Sequence, residues 1–318
     1  MARYNILSLD GGGIRGVLTI RLIEHLEEQF PGFLEQVDLI TGTSTGGILT
    51  LALAAGLSPQ QVREMYQTMG QKVFAESPLE VRGVSALINL VKADYSNVPL
   101  YNTLKEVLGD ITLGQLKKKV VISSFDLDNE IVKPERPRTW KAKFFHNYDS
   151  PGTDSAQKVV DVALRTSAAP TYFPIFQGYV DGGVVANNPS MCALAQAVEG
   201  TTGKQKLRDI ALLSIGTGNN PTFLTELNDN WGLAKWAVHL IPLMMDGSVG
   251  LADYQCKQLL GSRYLRLNPV LHRNIPMDAV KEIPYLLEVA DLEKLDDVVA
   301  WLKKNFKRPK NVVPVSNG

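Results

Sequence analysis

A serine flanked by glycines stands where the expected secondary structure changes from strand to helix. The motif GTSTG, residues 42–46, follows the apolar segment Val37 to Ile40. Glycines at such a junction permit the strained turn of a nucleophile elbow, which holds a serine hydroxyl clear of a sheet with a helix N-terminus behind it. The pattern therefore predicts Ser44 as a nucleophile, with a plain Gly-rich connection as the alternative. The predicted elbow residues around it are Gly42, Thr43, Thr45 and Gly46.

A serine hydroxyl is a weak nucleophile and requires a positioned base. No histidine follows a late strand at the position expected of a triad base. The four histidines are His25, His146, His239 and His272. Asp181 is the other candidate, since it ends a short apolar segment and precedes Gly182 and Gly183. A free aspartate titrates near ~3.9, so the role of base requires burial that raises its pKa. The alternative is an aspartate that only orders a turn.

Near the start of the chain, an apolar segment from Tyr4 to Leu9 leads into DGGGIRG, residues 10–16. Glycine N–H groups at a helix N-terminus can hold a developing oxyanion, and the loss of one such donor typically adds ~3 kcal/mol to the barrier. We therefore predict an oxyanion loop at Gly11, Gly12 and Gly13. Arg15 either adds positive charge toward the oxyanion or a phosphate, or forms an ion pair with Asp10 or another carboxylate.

Strand and helix segments alternate along the first two thirds of the chain. The predicted strands are 4–9, 37–40, 120–125, 178–180 and 210–215, and the predicted helices are 16–30, 48–55, 60–74, 155–165 and 190–198. This alternation indicates a parallel sheet with right-handed crossovers. The predicted fold is a three-layer α/β/α arrangement with a mainly parallel central sheet, and the last third is expected to be mostly helical. We predict one domain over residues 1–310 and a flexible tail at 311–318.

Composition excludes several classes of function. The 318 residues are 45% hydrophobic, and 33 basic side chains balance 33 acidic ones, so there is no global field to attract nucleic acid. Cys192 and Cys256 lack metal-ligand spacing. No segment reaches the ~18 apolar residues of a spanning helix, and the N-terminus lacks the pattern of a secretory signal. We expect a cytoplasmic protein.

The three motifs together, in the order DGGGIRG, GTSTG and DGG (residues 181–183), resemble those of the patatin-like phospholipase family, lipid acyl hydrolases related to cytosolic phospholipases of the A2 type. The likeness runs from Leu7 to about Gly218 and includes TSAAPTYFP at 166–174 and LLSIGTG at 212–218. The resemblance implies a catalytic dyad of Ser44 and Asp181 without a histidine, and an oxyanion loop at residues 11–13 with Arg15. It also implies a phospholipid or other acyl lipid as substrate, action at a membrane surface, and no requirement for calcium or another cofactor.

Other functions compete with this interpretation. Residues 11, 13 and 16 also match a dinucleotide-binding GxGxxG, but the second strand ends in Thr41-Gly42 and lacks the acidic residue that would bind the ribose. A Ser-His-Asp esterase requires His239 or His272 to reach Ser44. A non-catalytic storage or interaction protein with this fold is the remaining alternative, and a P-loop is excluded because Gly-Lys-[Ser/Thr] is absent.

Two segments are candidates for contact with lipid. Trp231 to Gly247 is rich in Trp, Leu and Met and could line an acyl groove or enter a membrane interface, although such a stripe more often belongs to a core. The irregular segment Leu79 to Pro99 is the predicted mobile cover.

Overall fold

The computed structural model describes residues 3–74, 93–130, 137–150, 152–225 and 230–306. The predicted tail at 311–318 lies outside the described residues, and so does the predicted cover up to residue 92. The division into one domain and a tail stays a prediction.

The described strands form one sheet whose centre is parallel. Its strands are β1 (Tyr4–Leu9), β2 (Leu39–Thr43), β3 (Lys119–Asp126), β4 (Lys141–His146), β5 (Tyr179–Asp181), β6 (Ile210–Ile215) and β7 (Tyr264–Leu267). The order across the sheet is β4-β3-β2-β1-β6-β7, and β5 also pairs with β3. Only β4 and β5 run antiparallel to their neighbour, β3. The carboxyl ends of β1, β2, β3, β6 and β7 therefore meet at one edge, where α/β proteins bind ligands.

Helices cover both faces of this sheet. They are α1 (Gly16–Gln29), α2 (Thr45–Ala55), α3 (Pro59–Phe74), α4 (Asn97–Leu108), α5 (Val159–Ser167), α6 (Gly183–Ala186), α7 (Ser190–Val198), α8 (Leu233–Leu260), α9 (Ile283–Leu292) and α10 (Asp296–Asn305). Successive side chains of a strand point to opposite faces. On β1, Ile6 accordingly packs into a core with α7 and α8, whereas Leu7 and Leu9 pack into the larger core with α1, α2 and α3. The predicted three-layer fold is confirmed.

The predicted boundaries hold for two strands at the centre of the sheet and for one helix. β1, α7 and β6 have the predicted bounds, whereas β2 begins two residues later than expected and continues into the serine motif. β4 was not predicted because it lies at a sheet edge, where alternating lysines leave no continuous apolar run. The last third, expected to be mostly helical, includes two helices, α9 and α10, that are separated at residues 293–295.

The segment from Trp231 to Gly247 corrects the expectation of a buried stripe. It forms the first half of α8, where the side chains of Leu240, Leu243 and Met244 are 40%, 50% and 56% exposed. Met245 is buried. The helix is apolar on a face that no described residue covers, so its composition alone did not indicate its position.

Candidate active site

Ser44 occupies a strained turn between β2 and α2. Its φ of 55° and ψ of −122° lie where residues with a Cβ are rarely found, as a nucleophile elbow requires. Two glycines make the close packing around it feasible. A Cβ on Gly42 would lie 2.1 Å from the carbonyl oxygen of Gly46, and one on Gly46 would lie 2.2 Å from that of Leu9. These positions exclude side chains because helix and strand backbones touch there.

The pairing register of β3 brings Asp181 to the serine. Ser123 on β3 is the partner of Thr43, the last residue of β2, and the adjacent Ser124 is the partner of Asp181, the last residue of β5. Ser44 follows Thr43 directly in the chain. The last residues of β2 and β5 therefore pair with adjacent residues of β3, and this pairing places the predicted nucleophile and the predicted base next to each other.

Asp181 is 2% exposed, and its surroundings favour the protonated form. Burial raises the pKa of this carboxyl to about 6, while the nearby Ser44 hydroxyl and the hydrogen bond from the Gly183 N–H keep it from rising further. Oδ1 accepts a 2.6 Å hydrogen bond from the Gly183 N–H. Oδ2 is buried and makes no hydrogen bond of ordinary geometry within the described structure. The serine is thus near the carboxylate without a completed bond, as is common in free enzymes.

Thr166, a buried residue near the end of α5, hydrogen-bonds to Ser44 and to the residue that follows Asp181. Its Oγ1 accepts a 2.9 Å hydrogen bond from the Ser44 N–H and donates one of 2.6 Å to the Ser123 carbonyl oxygen. Its own carbonyl oxygen accepts from the N–H of Gly182, next to Asp181. Sequence reasoning assigned no role to Thr166, although it opens the segment TSAAPTYFP; a polar residue beside a buried helix end was the only signal.

Two of the three backbone N–H groups predicted as oxyanion donors in the glycine loop are, within the described structure, free to bind a ligand. The Gly11 N–H donates a 3.0 Å hydrogen bond to the Asn187 carbonyl oxygen, whereas the N–H groups of Gly12 and Gly13 have no acceptor among the described residues. Gly13 has a φ of +59°, which glycine adopts without strain. A Cβ on Gly11 would lie 2.2 Å from Asn187 Oδ1 and 3.3 Å from the Ser44 Cβ, so the loop passes directly beside the serine.

Asp10 and Arg15, next to that loop, have different partners. Asp10 is buried and pairs with Arg266 of β7, Nη1 to Oδ1 at 2.9 Å, so the ion pair considered between Asp10 and Arg15 is not formed. Burial raises the pKa of Asp10, and Arg266 opposes that rise. Arg15 uses its Nε to donate to the Gly12 carbonyl oxygen at 3.3 Å. Its terminal guanidinium nitrogens have no acceptor within the described part of the chain.

Two cavities flank the glycine loop beside the site. The first, of about 50 Å³, has a largely apolar lining that includes Gly13, Ser44, Ile48, Met69 and Phe173. The second, of about 310 Å³, has a mostly polar lining that includes Asp10, Gly11 and Arg15. The glycine loop thus lies between an apolar and a polar cavity, with the serine on the apolar side.

The four histidines lie away from the dyad. His25 lies 3.2 Å from Asp291, and His239 packs against Trp231. His146 accepts a hydrogen bond from the backbone of Tyr148, and the backbone N–H of His272 donates to Tyr285. None of them lines either cavity or hydrogen-bonds to Ser44 or Asp181 in the described structure.

No group of three or more His, Cys, Asp or Glu side chains among the described residues is arranged to hold a metal ion. No helix within the described ranges is both long enough and apolar enough to cross a bilayer.

A strained serine between a parallel strand and a helix, beside a buried carboxylate, is typical of serine-dependent acyl hydrolases on α/β folds. A family model described as patatin-like phospholipase matches residues 7–194. The chain belongs to this family and is a lipid acyl hydrolase, that is, a carboxylic ester hydrolase.

Known relatives extend over nearly the whole chain. "Protein teg" of Priestia megaterium is 31% identical and aligns with 96% of this chain and 100% of its own length. A "cGAMP-activated phospholipase" of Vibrio cholerae is 34% identical and aligns with 88% of this chain and 84% of its own. Among solved structures, human GIVD cytosolic phospholipase A2 aligns with 96% of this chain and 60% of that chain, at 11% identity and a TM-score of 0.43. A likeness of that size indicates nothing about function.

Proposed function

We propose that the protein cleaves acyl esters of phospholipids or related lipids through a dyad of Ser44 and Asp181. The observation that carries the proposal is the placement of Asp181: buried, with a pKa raised to about 6, and paired on β3 next to the strand that ends one residue before Ser44. A carboxylate of this pKa is ionised at neutral pH yet is a far better base than a free aspartate. Asp181 can therefore act as the general base, a role that histidine has in most serine hydrolases.

In the acylation step, Asp181 takes the proton of the Ser44 hydroxyl while the oxygen attacks the ester carbonyl carbon. The electron pair of the carbonyl moves to its oxygen, which receives hydrogen bonds from the N–H groups of Gly12 and Gly13. Collapse of this intermediate expels the alcohol, which leaves with the proton held by Asp181. In the second step Asp181 takes a proton from water while the water oxygen attacks the acyl carbon. The intermediate then expels Ser44 Oγ, which recovers the proton from Asp181, and the fatty acid is released.

The other predicted site residues have supporting roles in this proposal. Gly11 hydrogen-bonds to Asn187 and so fixes the loop, and it is not assigned as a donor to the oxyanion. Gly183 orients Asp181, and Gly182 is held by Thr166. Arg15 supplies positive charge beside the loop. The apolar cavity next to Ser44 takes the start of the acyl chain, because methylene groups gain free energy on leaving water.

The exposed face of α8 supports action at a membrane surface. Leu233, Trp236, Leu240 and Leu243 recur at intervals of three or four residues, so they lie along one side of the helix, and all four are exposed. The same helix places Met245 within 2.7 Å of where a Cβ on Gly183 would be, beside Asp181. An apolar face that leads to the dyad is suited to a lipid surface.

The test is the release of fatty acid from phospholipid in detergent micelles. We expect Ser44→Ala and Asp181→Asn each to abolish measurable release, while His239→Gln and His272→Gln, whose side chains do not line the site, retain it. A phosphonate that reacts with activated serines should label the wild type and fail to label Ser44→Ala. Substantial release by Asp181→Asn, or its loss in a histidine variant, would refute the dyad.

A further inference from the structure

The two cavities are suited to different parts of one lipid, the acyl chain and the headgroup. Asp10 and Gly11 line the polar cavity, whereas Gly13 and Ser44 line the apolar one. An ester whose carbonyl oxygen points at the N–H groups of Gly12 and Gly13 has its acyl chain on the side of Ser44. Its alcohol part, which carries the headgroup, then extends toward the polar cavity. The volume of about 310 Å³ falls at the lower end of the range for small-molecule sites, ~300–1,000 Å³.

Two charges remain available in the polar cavity. Four charged side chains line it, and two of them, Asp10 and Arg266, neutralise each other. The other two, Arg15 and Asp246, form no ion pair within the described structure. They are still close enough to interact, since burial lowers the pKa of Arg15 and the Asp246 carboxylate opposes this effect. A cation and an anion that line one cavity without forming an ion pair with each other are complementary to a zwitterion.

The uncharged lining consists largely of amide and hydroxyl groups. It includes Asn187, Thr217, Asn219, Asn220, Thr222 and Asn268. Asn187 is 5% exposed, and its Oδ1 is buried without a hydrogen-bond partner in the described structure. A buried acceptor without a donor is unfavourable, so this atom favours a ligand that brings an N–H or O–H group.

The same lining distinguishes between the two common cationic headgroups. A primary ammonium donates three hydrogen bonds, which Asp246 and the amide oxygens can accept. A trimethylammonium group donates none and is bound in proteins by aromatic faces. No aromatic side chain of the described residues lines this cavity.

We propose that the polar cavity binds the phosphoethanolamine headgroup of the lipid substrate, with the phosphate at Arg15 and the primary ammonium at Asp246. The proposal rests on the proposed function, since the headgroup reaches the cavity only when the ester lies over the glycine loop. It assigns Asp246 as the residue that determines headgroup specificity.

The experiment is a competition between phosphatidylethanolamine and phosphatidylcholine with identical acyl chains, diluted in the same detergent micelles. Both lipids carry no net charge, and in a mixed micelle the ratio of their cleavage rates is independent of how tightly the enzyme binds the surface. The mono- and dimethylated ethanolamine lipids complete the series by removing one N–H donor at a time. The variants are Asp246→Asn, which has almost the same shape, and Glu288→Gln, the same change at an exposed position of α9 outside the cavity.

We expect the wild type and Glu288→Gln to prefer phosphatidylethanolamine by about tenfold, with the rate falling at each methylation, and Asp246→Asn to bring the ratio near one. Equal rates in the wild type would overturn the proposal, and so would a preference that survives in Asp246→Asn. Either result leaves the dyad intact as long as Ser44→Ala is inactive. Absence of cleavage of every lipid by the wild type would instead refute the proposed function.

Discussion

The backbone N–H of Ser44 donates a 2.9 Å hydrogen bond to Oγ1 of Thr166. This bond fixes the backbone of a residue whose φ of 55° is otherwise unfavourable. Because the carbonyl oxygen of Thr166 also holds Gly182, the residue after Asp181, one side chain and its peptide group tie the two halves of the site together. Thr166 is therefore a positioning residue for the reaction.

Replacement of Thr166 by valine keeps the shape of the side chain and removes its hydroxyl. We expect kcat to fall about tenfold to hundredfold with little change in KM, because small displacements of a nucleophile have effects of this size. Thr166→Ser retains the hydroxyl and should restore most of kcat. The rate of labelling of Ser44 by a phosphonate, measured beside the melting temperature, separates a positioning effect from general instability. Equal loss in the serine variant would argue for packing.

The activity should depend on pH through Asp181. The base must be ionised to take the serine proton, and burial raises its pKa to about 6. We expect kcat/KM to rise tenfold per pH unit below that value and to become level above it. A soluble short-chain ester is the suitable substrate, since its own charge does not change over this range. A limb that disappears in His239→Gln or His272→Gln would instead identify a histidine as the base.

The same carboxyl should make the folded protein less stable at high pH. Its pKa is about 6 in the folded state against an ordinary value of 3.8, so the folded state binds the proton more tightly. The stability that this group contributes is complete below pH 3.8 and is lost as the pH rises through 6.

Asp181→Asn, which cannot ionise, should therefore exceed the wild type in free energy of unfolding by about 1–3 kcal/mol at pH 8 and by little near pH 4. Urea unfolding at the two pH values measures this difference. Ser44→Ala is the matched control, since it is expected to be inactive and yet keeps the buried carboxylate. A gain for Asp181→Asn that is the same at both pH values would show that the carboxylate is not buried as a charge.

The exposed face of α8 should govern the use of lipid in vesicles. Leu240→Glu/Leu243→Glu places two charges on that face, and we expect binding to phospholipid vesicles and hydrolysis of vesicular lipid to fall at least tenfold. Hydrolysis of a soluble short-chain ester measures the dyad without a surface and should change less than twofold. Leu292→Glu, at a 74% exposed position of α9, is the control. Full vesicle activity in the α8 variant would rule out this face as the membrane contact.

The sequence by itself determined where the buried strands and the helices between them follow one another along the chain. Apolar runs such as Ile6 to Leu9 are fixed by their own composition, because a segment buried on both faces has one stable location in an α/β fold. The motif around Ser44 was recognisable for the same kind of local reason: glycines and a serine at a strand-to-helix junction specify the turn without reference to distant residues.

Tertiary structure decided everything that depends on partners far along the chain. Only the register of β3 places Asp181 beside Ser44, and only the fold shows that Arg266, rather than Arg15, pairs with Asp10. The exposure of α8 was likewise hidden, since an apolar helix has the same composition in a core as on a surface. Burial, ion pairing and proton affinity arise from contacts between residues far apart in the chain, such as Asp10 and Arg266, which are 256 positions apart, and no local pattern encodes them.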